Sequence, residues 1–234
     1  MHTSTALSQT SSLDAAPASP WLEAVSLSCA REGRWLFREL SFRFGAGEVW
    51  QLAGPNGVGK TSLMRTLAGL LPIQQGEVCW RGQTLAAVQD DYQQQLLFMG
   101  HLAGIKAELT PLENLSWYAA LEAQWEEAEL EEALMRVGLW HLIDTPCHQL
   151  SAGQKRRVAL ARLLITRKPF WLLDEPFTAL DKEAVQAMER LIRTHAEQGG
   201  CVLLTSHHAL EDFSGLQRLE LTPLAAEAAF VDGS

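Results

Sequence analysis

The chain has no excess of positive charge. Against 28 Asp and Glu stand only 19 Lys and Arg, for a formal net charge of −9 and a pI near 5.3. That balance argues against a nucleic-acid surface, which needs a basic face. Nor is there a run approaching the ~18 apolar residues that cross a bilayer, so any role at a membrane has to be anchored by another chain. Cysteine is sparse. Cys29, Cys79, Cys147 and Cys201 lie far apart, with neither C-x-x-C nor C-x-x-C-H spacing, which argues against a zinc knuckle and against covalent haem attachment. They read as reduced core thiols of a cytosolic protein. No internal repeat and no long coiled coil is visible. Residues 1–20 carry no Lys or Arg and no apolar segment, unlike a secretory signal or an Arg-rich transit peptide. Their Ser, Thr, Ala and Pro predict a disordered tail. The remaining residues, 21–234, are enough for one large core and too few for two independent domains, so a single module is expected.

What is present is a glycine-rich stretch, Gly54 to Thr61, GPNGVGKT, which fits G-x-x-x-x-G-K-[ST] without a gap. Gly54, Gly57 and Gly59 allow the positive-φ turns that aim successive N–H groups at a phosphate. Pro55, Asn56 and Val58 complete the loop, and Lys60 adds a positive charge. Thr61 offers a hydroxyl to a metal ion, and Ser62 follows in the helix whose dipole points its positive end at the same anion. The apolar run EVWQLA at Glu48 to Ala53 precedes the loop and a helix to about Leu70 follows, the strand, loop and helix setting that the motif requires.

Two strands are expected ahead of this unit, Leu22 to Cys29 and Trp35 to Phe44, joined by REGR as a turn. After it comes a strand-like run at Glu77 to Arg81. A polar, Gln-rich bridge, QDDYQQQ, then leads to a short strand at Leu96 to Met99. From Thr110 the periodicity turns helical. TPLE is a capping box with Pro at the first helical position, opening a helix to about Ala123. A second helix spans Glu126 to Val137, with acids in its first turn and Gly138 as its stop. SAGQ at Ser151 is another capping box, leaving the N–H groups of Ala152 and Gly153 at an exposed helix N-terminus, a second potential anion site. That helix runs to about Thr166. Its KRR, Lys155 to Arg157, reads as a solvated face, with a role near nucleotide or carboxylate partners left open. Phe170 to Leu173 and Cys201 to Thr205 are apolar enough to be buried parallel strands. Between them a helix is expected from Lys182 to about Glu197, and a last strand over Leu216 to Leu221. Asp174-Glu175 and Ser206-His207 sit at the carboxyl ends of the two buried strands. The pattern is an α/β sheet with a helical insertion at about 101–165.

A phosphate loop followed in order by LSAGQ, FWLLDEP, TALD and SHH resembles the ATP-binding subunit of ABC (ATP-binding cassette) transporters, over nearly everything from Leu22 to Leu221. The resemblance implies a P-loop NTPase of the ABC ATPase type, α/β, with a mixed-sheet core, an antiparallel β subdomain and an inserted helical subdomain. It implies ATP and Mg²⁺ as ligands. Lys60 and the loop backbone would hold the β and γ phosphates, and Thr61 and Asp174 the metal. Glu175 would be the general base or positioner for the attacking water, and His207 a switch contacting the γ phosphate and orienting that carboxylate. Ser151, Gly153 and Gln154 would close over ATP held by a second copy, with Asp181 coupling the two sites, which implies a homodimer. The pattern departs from the family in three places. Ala152 replaces the first glycine of the signature, and His101 stands where a metal-touching Gln is usual. No aromatic is clearly placed to stack on adenine: Cys29 occupies its neighbourhood, and Trp35 and Phe37 are candidates that strand core packing accounts for equally.

Together, GH followed by GIKAELTPLENL, LSAGQ-x-RRVALARL and LDEPFTALD are similar to the ATPases of cytochrome c maturation (Ccm-type) haem exporters. This implies a peripheral subunit on the cytoplasmic face of the bacterial inner membrane, beneath integral membrane subunits, using ATP hydrolysis to export haem or release a haem-loaded chaperone. His101 to Trp117 would be the coupling surface, or else an ordinary loop and helix start. Two other readings are an ATPase for another small-molecule exporter, and a soluble ATP-gated clamp on DNA or ribosomes. Charge and the single cassette weigh against the clamp, and a haem-binding role for this chain is not expected of its seven scattered His.

Overall fold

The computed structural model of the protein describes residues 21–101, 104–122, 125–208, 210 and 213–224. The expected tail over 1–20 lies outside these residues, as do Ala123, where the first insertion helix was expected to end, and the last ten residues of the expected module.

The chain opens with β1 (Leu22–Arg31) and β2 (Arg34–Phe44), an antiparallel pair around the REGR turn. After β3 (Val49–Ala53), the phosphate loop leads into α1 (Lys60–Leu67). That helix stops short of the expected Leu70 because Gly69 turns the chain at φ +73°. Next come β4 (Gln75–Trp80) and the short β5 (Gln83–Thr84), which together with β1 and β2 form a four-stranded sheet in the order β2-β1-β4-β5. The Gln-rich bridge is in fact a helix, α2 (Gln89–Gln95). Its anchor is a single aromatic. Tyr92 is buried, and its hydroxyl donates to Leu67 O at 2.7 Å. One apolar side chain in seven residues gives no periodic signal.

The strand β6 (Leu96–Met99) is followed by α3 (Pro111–Glu122), α4 (Glu127–Arg136) and α5 (Ala152–Ile165) before the chain returns as β7 (Phe170–Leu173). The helix α6 (Lys182–Glu197) then leads to β8 (Cys201–Leu204), and β9 (Leu216–Glu220) ends the described fold. These last strands and β3 form one five-stranded sheet, β6-β7-β8-β3-β9, in which every pairing is parallel. The mixture of strand directions expected of the core is therefore divided between two sheets, one antiparallel and one parallel.

Side-chain alternation decides the packing. Phe170, Leu172, Cys201 and Leu203 face the antiparallel sheet and α1, while Trp171, Leu173, Val202 and Leu204 face α5 and α6. Both faces of β7 and β8 are thus covered, which is why they read as unbroken apolar runs. Trp80 of the antiparallel sheet stacks on Phe170 at 5.8 Å between ring centroids, tying the two sheets together. A separate cluster, around Leu115, Leu134 and Cys147, holds α3 and α4 against α5. Because the five strands are parallel, the residues after β3, β6, β7 and β8 all emerge at one edge, where open α/β sheets place their ligands.

Candidate functional site

That edge carries a cleft of about 720 Å³ lined by Asn56, Gly57, Gly59, Lys60, Thr61, Ser62, His101, Asp174, Glu175 and His207. These residues come from four separate stretches of chain, each delivered by a parallel strand, and a fifth stretch, from the antiparallel β1–β2 pair, completes the mouth.

The phosphate loop follows β3. A Cβ at Gly54, φ +134°, would lie 2.4 Å from Leu221 O, so no side chain fits there. Gly59, φ +111°, is the N-cap of α1 and is packed against Leu36 and Phe37. Pro55 and Val58 form the outer wall of the loop with Trp35. Lys60 Nζ donates to Gly54 O at 2.7 Å and to Pro55 O at 3.1 Å, which holds the ammonium group over the loop. The first turn of α1 has no side-chain cap and no acidic residue, so the end of its dipole is open to an anion.

Opposite stand the two carboxylates that follow β7. Asp174 is buried, 3 % exposed, and its N–H continues the sheet ladder to Met99 O. The Thr205 hydroxyl donates to Asp174 Oδ1 at 2.7 Å and accepts the Glu175 N–H at 2.9 Å, bridging the pair from the end of β8. Asp174 Oδ2 is buried without a hydrogen-bond partner among the described residues. A buried carboxylate oxygen left unpaired is costly, and a hard cation is a chemically fitting partner for it. Glu175 adopts φ +54°, a left-handed conformation that strains a residue with a Cβ. Its carboxylate meets His207 twice: the backbone N–H donates to Oε2 at 3.3 Å, and Nε2 lies 3.5 Å from Oε1.

Not every expected residue lines the cleft. Ser151 caps α5, accepting the Gln154 N–H at 3.2 Å while Gln154 Oε1 accepts the Ser151 N–H at 2.8 Å. Gly153 packs so closely on Ala179 O that a Cβ there would lie 3.0 Å from it. Asp181 caps α6 and pairs with Arg157. The Ala184 N–H, and after it the Arg157 guanidinium, hold the Asp181 carboxyl below its ordinary value. All four of these residues lie outside the lining of the cleft.

Phe37 is buried, 3 % exposed, so core packing accounts for it, and Cys29 is buried as well. The residues that do reach the mouth of the cleft are Arg31, Glu32 and Arg34 at the β1–β2 turn and Leu36 of β2, where the sequence marks REGR only as a turn. Two further residues were missed. Thr205 had been read as a strand end, although a polar residue directly after CVLL, two before His207, marks it. Arg156 had been assigned to a solvated face, yet it is 6 % exposed. Its position, three and four residues before Ala159 and Leu160, puts it on the sheet-facing side of α5, which was legible in the helical period. Burial pulls its guanidinium below its ordinary value, and Asp174 and Glu175 oppose that pull.

The arrangement offers a phosphate cradle, a cation, a metal-fitting carboxylate and a second carboxylate held by an imidazole. The family profile described as ABC transporter matches residues 37–178. The cytochrome c biogenesis ATP-binding export protein CcmA of Hahella chejuensis is 46% identical over 202 residues, covering 86% of this chain and 96% of its own length. The protein of the same name from Pseudomonas putida is 50% identical over 206 residues, covering 88% and 98%. Among solved structures, the ATP-binding subunit of an ABC transporter superposes with a TM-score of 0.77 at 25% identity, covering 88% of each chain.

Proposed function

The chain belongs to the ABC transporter family and is an ATPase, and from that premise we propose that it powers a membrane complex of cytochrome c biogenesis, coupling ATP hydrolysis to haem export or to release of a haem-loaded chaperone. The observation that carries the pathway is identity at half of the aligned positions to a cytochrome c biogenesis export protein, over 98% of that protein's length.

In the reaction, Lys60 and the loop N–H groups hold the β and γ phosphates of ATP. Thr61 and Asp174 are the residues for Mg²⁺, a role that the unpaired Asp174 Oδ2 and the cleft position of Thr61 support. When bound, Mg²⁺ supplies charge neutralisation across the β and γ phosphates. Glu175 accepts the proton of the attacking water as its oxygen bonds to the γ phosphorus and the bond to the β–γ bridging oxygen breaks. His207 fixes the Glu175 carboxylate through its two contacts and extends toward the γ phosphate. His101 borders the same space.

Ser151, Gly153 and Gln154 act on ATP held by a second copy, with Asp181 at the junction. Support for that arrangement is their position on an exposed helix end outside the cleft of their own chain. No helix among the described residues is long and apolar enough to cross a membrane. Integral membrane subunits dock on the stretch His101 to Trp117 and hold the protein at the cytoplasmic face of the bacterial inner membrane. Trp117 and Leu121, one turn apart on α3 and 43% and 67% exposed, offer an apolar surface for them.

The test is a pull-down of the tagged chain from detergent-solubilised membranes, with and without Glu175→Gln, and an ATPase assay on what is recovered. Recovery of cytochrome c maturation subunits is expected. Recovery of unrelated permeases would retain the ATPase and discard the pathway.

A further inference from the structure

Every polar part of Glu175 is held, and two segments of the chain share the task. Its N–H is on Thr205 and its carboxylate on His207, both from the end of β8. Its carbonyl oxygen is held from the other side, by α5. Arg156 Nη2 donates to Glu175 O at 2.5 Å and to Asp174 O at 3.3 Å, while Nε lies 3.4 Å from Pro176 O and Nη1 3.5 Å from His101 O. A buried arginine ordinarily pairs with a carboxylate, whereas here the planar fork is spent on four backbone carbonyls from two loops. Arg156 does not line the cleft, so it touches no substrate.

We propose that Arg156 is a positioning residue for hydrolysis: it holds the Asp174–Pro176 turn and the His101 turn in one register with α5, and so keeps the Glu175 carboxylate aimed at the attacking water. The inference rests on the ATPase reading above. Its physical basis is the left-handed φ of +54° at Glu175. A residue with a Cβ leaves that conformation when its peptide groups are released, and the side chain then swings with the backbone. The contact to Glu175 O is the shortest of the four, so the strained peptide is the one most directly held. Lysine is no substitute, because its ammonium group is a single point with three donors and cannot span carbonyls on two loops.

The test uses the full chain with Arg156→Lys and Arg156→Ala, reading ATP turnover, affinity for a fluorescent ATP analogue, thermal midpoint and amide hydrogen exchange. For Arg156→Lys, kcat is expected to fall about 10- to 100-fold, the scale of an ångström of misplacement. Nucleotide affinity should stay within about 3-fold, because the phosphate loop is untouched. Exchange should quicken at the amides of Asp174, Glu175 and His101 and nowhere else. Millimolar guanidinium should restore part of the turnover of Arg156→Ala, and equal NaCl should not. Three results would each overturn the proposal: parent-like kcat in both variants, loss of kcat only in proportion to lost folded protein, or faster exchange spread evenly over the chain. Should the unaltered chain bind ATP without turning it over, it is the hydrolase reading that fails, and exchange at the Asp174 and Glu175 amides still decides whether Arg156 holds the turn.

Discussion

The N-terminus of α1 is bare and that of α5 is finished. The first turn of α1 has Gly59 as its cap, no capping side chain and no acid within it. At α5 a reciprocal box between Ser151 and Gln154 closes the end, and α3, α4 and α6 are likewise capped by side chains of their own. A missing cap costs about 0.5–2 kcal/mol; α2 lacks one too but carries Asp90 and Asp91 in its first turn, so among the described α-helices α1 alone has neither a side-chain cap nor an acid there. On the proposed reading, phosphate bound in the same chain would offset that cost. The α5 end, by contrast, stands exposed and is complete without a partner. A site used by its own chain would then be left unsatisfied inside a cleft, and one offered to another copy completed first and then presented.

The largest expected break in this comparison is Lys60→Ala, which removes the only cation in the α1 loop. Hydrolysis should fall at least about a thousandfold in a phosphate-release assay, as charge stabilisation dominates phosphoryl transfer. Mixing chains tests the division of labour directly. Lys60→Ala and Ser151→Arg are each expected to be inactive alone, yet an equimolar mixture should regain about a quarter of parental turnover, since half of the dimers carry one intact composite site. No recovery would mean that the α5 end does not serve a second copy. Thr205→Val strands Asp174 Oδ1 and the Glu175 N–H together, and should destabilise the chain by about 2–4 kcal/mol in denaturant titration. The smallest effect is expected at the finished end itself. Ser151→Ala should cost about 1 kcal/mol, a fall of about 2–4 °C in thermal midpoint for a chain of this size.

Legibility follows the same division. The phosphate loop could be read because its chemistry is local: the spacing of Gly54, Gly57, Gly59 and Lys60 is the mechanism. Asp174 and Glu175 were readable because an apolar run announces the strand that ends there, and TPLE and SAGQ announced helix starts that α3 and α5 confirm. What was not legible lies between distant segments. Nothing local says that β3 is seated between β8 and β9, or that Thr205 bridges Asp174 to Glu175 across 31 and 30 residues. Arg156 was obscured by its neighbours. In KRR, Lys155 and Arg157 are both partly exposed, while the residue between them enters the core. The Gln-rich α2 was lost for the opposite reason, since one buried tyrosine is enough to hold a helix and too little to reveal one.

One feature of α5 joins these regions. Val158, Ala161 and Ile165 pack with α3 and α4, whereas Ala159, Leu160 and Leu163 pack on the parallel sheet. The helix is therefore a shared wall between two cores, about 21 Å long, with the Glu175 carbonyl gripped near one end. Close-packed interiors do not stretch, so a tilt of this wall is felt on both sides at once. Linkage then imposes symmetry on whatever binds there. If closing ATP into the cleft alters how tightly a ligand is held on the α3 face by some factor, that ligand alters the affinity for ATP by the same factor. The wall has no preferred direction: whatever binds the α3 face would govern the nucleotide as fully as the nucleotide governs it.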